Sequence, residues 1–73
     1  MSDIQRQRLT SSDVASIGYD ETSETLEIEF HATGTYRYFS VPKSVYEELR
    51  ATPSPGKYFL QKIKGKYAWE KVG

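Results

Sequence analysis

The chain has 73 residues, ten basic and ten acidic side chains, and no cysteine. A single domain of this size buries only about 60 % of its unfolded surface, and neither a disulfide nor a cysteine-based zinc site can reinforce it. No run of about 20 apolar residues could span a bilayer, and the opening MSDIQRQRLTSSD lacks the apolar centre of a secretion signal. A cytoplasmic chain without membrane contact is therefore expected.

The balanced charge hides an uneven distribution. Up to Thr35 there are two basic residues against seven acidic ones, and from Tyr36 onward eight against three. Such asymmetry marks either a half that meets nucleic acid or two halves that pair across a sheet.

In chain order, residues 1–9 read as a loose polar arm that tightens into a Ser/Thr or Asx turn at TSSD. Ala15, Ile17 and Tyr19 then alternate with small or polar residues, as do Leu26, Ile28 and Phe30, which predicts two strands joined by the turn formers DETSE. HATG offers a glycine for a second hairpin into GTYRYFSV, the third strand. From Pro42 the period changes. Val41, Val45 and Leu49 recur every four residues, and Pro42 has the fixed φ suited to a first helical turn. TPSPG ends that helix, Ser54 and Pro55 resemble the cap and first residue of another, Phe59 and Ile63 share its face, and Gly65 can close it. Tyr67, Trp69 and Val72 allow a short C-terminal edge strand. Three strands leave an apolar face that two helices can cover. The expected fold is α+β in the order βββαα, a three-stranded antiparallel meander with both helices on one face. Ile17, Tyr19, Leu26, Ile28 and Phe30 would pack on Val45, Leu49, Phe59 and Ile63.

Tyr36 and Tyr38 lie two apart and so share a face, with Arg37 on the other. Facing inward, they give a small core its bulk while Arg37 meets Glu27 and Glu29. Facing outward, they form a platform on which bases can stack. The available partners for Arg37 favour the inward, structural arrangement.

The series SIGYD, LEIEF, YRY, VPKSVYEEL, SPGKYF and IKGKY resembles the KTSC domain. That family is named for the C-terminus of some lysyl-tRNA synthetases and also occurs as small bacterial and phage proteins. The resemblance covers residues 8 to 70, with Tyr36 and Tyr38 matching its YxY signature. Many relatives carry an asparagine after YF, where this chain has Leu60. The resemblance implies an RNA-related role without established chemistry.

Signals for catalysis are sparse. His31 is the one histidine and fits a solvated turn, and Asp20 and Glu21 are ordinary turn residues. The serines lack a neighbouring base, and no glycine pattern resembles a phosphate loop. Neither an enzyme, a metal nor a cofactor is expected. Binding has more support. Lys57, Lys62, Lys64 and Lys66 are interleaved with Tyr58, Tyr67 and Trp69, a mixture that neutralises phosphates and stacks on bases, and Arg37 and Lys43 would extend it. The reading is an RNA-binding module that uses these lysines, Arg37, and Tyr67 or Trp69. The alternative is a protein-docking or dimerising module, because Tyr, Trp and Arg also anchor protein interfaces.

Overall fold

The computed structural model describes residues 4–73. Its elements are β1 (Arg6–Arg8), β2 (Val14–Asp20), β3 (Thr25–Phe30), β4 (Gly34–Tyr38), α1 (Lys43–Ala51), α2 (Pro55–Lys62) and β5 (Trp69–Lys71). The strands form one sheet in the order β1-β2-β3-β4-β5, each antiparallel to its neighbours. The expected α+β class and the helix pair hold, but four strands precede the helices, not three. The extra one is β1, from the segment expected to be a loose arm. Its residues Arg6, Gln7 and Arg8 pair with Gly18, Ile17 and Ser16. Without an apolar residue the tripeptide carries no strand pattern. It is held by its backbone ladder and by Arg6, which reaches Glu27 at 3.5 Å and donates to Thr35 Oγ1 at 3.0 Å. Charged side chains also suit an edge strand, since they discourage pairing with another chain.

TSSD forms the expected turn, with Ser11 Oγ accepting from the backbone N–H groups of Asp13 and Val14. Beyond it a bulge alters the alternation: Val14 opposes Phe30 while Ser16 opposes Glu29, leaving Ala15 as the inserted residue. Val14 and Ile17, three apart, are therefore both fully buried in the core. Strict alternation would have put them on opposite faces. The next turn is fixed by Asp20, which accepts from Thr22 N and Oγ1. The third is relieved by Gly34 at φ +100°.

Leu26 pairs with Tyr38, Ile28 with Tyr36, and Glu27 with Arg37. Both tyrosines accordingly share the face of Leu26 and Ile28. There Val14, Ile17, Leu26, Ile28 and Tyr38 pack with Val41, Leu49, Phe59 and Ile63. Each fully buried aliphatic side chain contributes about 1.5–3 kcal/mol. Tyr19, Phe30 and Val45, expected in the core, are only partly buried against it. Tyr19 stacks on Tyr46 with ring centroids 5.1 Å apart and donates its hydroxyl to the Val41 carbonyl. That contact ties β2 to the entrance of α1.

Pro42 stands just before α1 as its N-cap, not inside its first turn. Ser54 makes no side-chain capping bond to α2. The Asp13 carboxylate lies close by instead, with Oδ2 only 2.7 Å from where a Cβ on Gly56 would sit, a placement that complements the positive end of the helix. Gly65, at φ +78°, turns the chain after α2, and β5 returns beside β4. Among the described residues no helix is long and apolar enough to cross a membrane.

Two substitutions separate the roles of the hairpin and post-helix glycines. At Gly34 a Cβ would meet the Gly73 carbonyl oxygen at 2.2 Å, whereas at Gly65 nothing lies within 4 Å. Gly65→Ala should therefore cost about 1 kcal/mol of left-handed backbone strain and Gly34→Ala clearly more. Tyr38→Ala should cost about 3–5 kcal/mol, as the loss of a buried aromatic does. Urea unfolding of the three variants orders them, and equal losses at the two glycines would refute the steric account.

Candidate functional site

At the β4–β5 end of the helix-covered face lies a cleft of about 320 Å³ lined by Phe30, Thr33, Tyr36, Tyr38, Phe59, Lys64, Gly65 and Trp69. Its walls come from six parts of the chain, Thr33 being supplied by the turn between β3 and β4. The end of β3 supplies Phe30, and the alternation of β4 supplies Tyr36 and Tyr38. From α2 comes Phe59, while the turn at Gly65 carries Lys64 across the opening. Trp69 enters from β5 because its pairing with Tyr38 puts it on the tyrosines' face. The helices cover Tyr38 to 5 % exposure, yet Trp69 is 56 % exposed.

The rings meet edge to face or tilted. Phe30 is 5.8 Å from Tyr36 and 5.0 Å from Phe59, Tyr38 is 5.5 Å from Phe59, and Tyr36 is 5.5 Å from Trp69. Such edge-on contacts are worth about 0.5–1.5 kcal/mol each beyond area burial and fix the cleft's shape. Burial, followed by the neighbouring Tyr36, pushes the Tyr38 hydroxyl up to about 12. At neutral pH it is therefore a neutral donor. Its lining has no carboxylate, and its one charge is the Lys64 ammonium.

The residues expected to bind RNA do not share one surface. Lys64 and Trp69 meet in the cleft, and Lys62 and Lys66 are exposed on either side of Lys64 in sequence. Tyr67 is half-buried against the core and does not line the cleft. Lys57, near the start of α2, borders a polar depression with Thr10, Ser11, Ser12 and Asp13. Lys43, the first residue of α1, forms an ion pair with Glu21 and does not line the cleft. Arg37 departs most from an expectation of convergence. It lies on the uncovered face of the sheet, where its Nε donates to Glu27 Oε2 at 2.8 Å while Arg6 approaches the other carboxylate oxygen. Strand alternation alone separates Arg37 from Trp69, because the residues that flank it point into the cleft.

Phe30, Thr33 and Phe59 were missed as cleft residues. Phe30 and Phe59 read as core because an apolar residue on an inward face looks the same in sequence at the centre of a core and at its margin. His31 is exposed, with Nε2 3.1 Å from the Ser11 carbonyl oxygen, and the described residues contain no cluster of three or more His, Cys, Asp or Glu able to hold a metal.

The KTSC domain family model matches residues 10–67, most of the chain. The chain belongs to the KTSC domain family. It is 46 % identical over 54 residues to a lysine–tRNA ligase of Trichormus variabilis, which covers 74 % of this chain but only 10 % of that protein. The chain thus spans about a tenth of the length of the ligases it matches. It is also 39 % identical over 61 residues to a protein of Stutzerimonas stutzeri, covering 84 % of this chain and 86 % of that one. The crystal structure of a KTSC domain protein from Yersinia pestis superposes with a TM-score of 0.94 at 41 % identity, over 97 % of this chain and all of the other. The YxY signature of this KTSC domain is built into one wall of the aromatic cleft.

Among the tyrosines with raised values, Tyr38 and Tyr58 are shifted furthest and give the domain a defined alkaline response. Tyr58 is also pushed up to about 12, first by burial and then by donating its hydroxyl to Glu48 Oε1 at 2.6 Å. In the unfolded chain both phenols ionise near 10. Because the folded state holds its protons to higher pH, the stability they contribute is complete below pH 10 and is lost as pH rises toward 12. Chemical unfolding at several pH values should show this decline, and Tyr58→Phe should make it shallower. An unchanged slope would mean that Tyr58 titrates alike in both states.

Proposed function

We propose that this KTSC domain is a binding module, not a catalyst, that it works in the cytoplasm, and that its ligand is RNA. The observation that carries this reading is the aromatic cleft with Lys64 in its wall. Aromatic faces bind bases with about 1–3 kcal/mol per stacked base, and lysines supply the sequence-independent attraction to phosphate. Residues 62–71 contain four lysines against one glutamate, so the segment that carries Lys64 and Trp69 into the cleft is locally positive despite the balanced total. Kinship with a segment of lysine–tRNA ligases supports the same ligand class. Arg37 and Lys43 are left out of the interface, since each is engaged by a carboxylate away from the cleft.

The test is a titration of isotopically labelled protein with a mixed tRNA pool at two ionic strengths, following backbone amides. Shifts should cluster on residues 33–36 and 62–69 and weaken steeply with salt. Replacing Lys62, Lys64 and Lys66 by alanine together should reduce affinity by about tenfold or more and flatten the salt dependence, by somewhat under one unit of log–log slope per lost phosphate contact. Absence of shifts at micromolar RNA and low salt would overturn the reading and leave the cleft, with the exposed Leu60 and Val72, to a protein partner.

A further inference from the structure

We infer that the cleft receives one unpaired nucleobase, so that the RNA this domain selects is a single-stranded end, loop or bulge and not a continuous duplex. The inference rests on the RNA reading above and adds the structural class of the ligand. Its first ground is size. At about 320 Å³ the cleft sits at the lower end of small-molecule pockets, which run from roughly 300 to 1,000 Å³, and has room for one nucleoside-sized group, a base with its sugar.

The second ground is the set of unused contacts. No two of the contacting cleft rings are parallel, the interplanar angles running from 59° to 73°, so none of these contacts stacks one ring flat on another. Trp69 in particular offers more than half its surface to solvent. The polar groups are equally available. The hydroxyls of Tyr19 and Tyr58 have acceptors. Among the described residues, those of Tyr36 and Tyr38, the Trp69 indole N–H and the Lys64 ammonium have neither a hydrogen bond nor an ion pair, and no side chain is buried with its polar atom unsatisfied. None of these groups is sealed from solvent, and they border an apolar slot. A ring with polar edges, entering the slot, would satisfy them while its face meets Trp69.

The third ground is access. In an A-form duplex the base faces are stacked inside, and only edges are displayed in a shallow minor groove. A recessed slot between α2 and β5 cannot reach a stacked face. An unpaired base can leave its strand and enter, with its flanking phosphates near Lys62, Lys64 and Lys66.

Trp69 is the one tryptophan, so its fluorescence reports the slot directly. The probes are a single-stranded RNA 12-mer, a blunt duplex of the same length, and that duplex carrying one bulged nucleotide, each titrated at low salt. The single strand and the bulged duplex should quench Trp69 and bind about tenfold or more tighter than the blunt duplex. Tyr36→Ala should abolish most of that preference, and Trp69→Phe, which keeps a stacking ring, should preserve it when followed by amide shifts. Equal binding of all three RNAs without quenching would overturn the unpaired-base inference and leave RNA binding standing. Failure of all three to bind would overturn both.

Discussion

The pairing of Glu27 with Arg37 across β3 and β4 sets most of this structure. It is a cross-strand ion pair on the uncovered face of the sheet, with Glu27 only 6 % exposed and its carboxylate shared with Arg6. Because side chains alternate along a strand, this register also decides that Leu26 meets Tyr38 and Ile28 meets Tyr36 on the opposite face. A slip of one residue would turn both tyrosines into water and draw a guanidinium into the core. The register also sets where β5 joins, and thus where Trp69 stands relative to the tyrosines.

That ionic row gives the two sides of the sheet different tasks. On the uncovered side, Arg6, Glu27, Arg37 and the Ser16–Glu29 hydrogen bond occupy polar groups with one another. Only one pair there, Glu27 with Arg37, joins the acidic half of the sequence to the basic half, because Arg6 and Glu29 both belong to the acidic half. On the covered side, two short helices bury the middle of the sheet, and aromatic rings fill the end they leave open. A core with so few aliphatic residues gains stability from large rings, and rings at its edge remain partly wet. The cleft is therefore a consequence of how a chain this short closes its core. Lys64 and polar groups without side-chain partners border it.

The similarity of this chain to a segment of lysine–tRNA ligases has a physical counterpart in the fold. A unit matching about a tenth of a much longer protein, with its own core, can fold beside unrelated domains. The near-complete superposition on the Yersinia pestis domain shows the same architecture as a separate chain.

What the sequence determined by itself was whatever depends on local period and turn chemistry. The alternation in β2 to β4, the four-residue spacing of Val41, Val45 and Leu49, the turns at Asp20 and Ser11, and glycine at positions 34 and 65 were all legible there, as was the tyrosine pair sharing one face. The six-segment resemblance likewise identified the family. What only the tertiary structure decided was everything that depends on which strands become neighbours. β1 carries no apolar signal, so its place in the sheet follows from backbone pairing and from Arg6 finding Glu27. The Ala15 bulge, which brings Val14 inward, breaks the very period by which strands are read. Arg37 and Lys64 look equally basic along the chain, but strand alternation sends the first to a carboxylate and the turn at Gly65 brings the second to the rings. Charge and aromaticity are properties of residues, whereas convergence is a property of the fold.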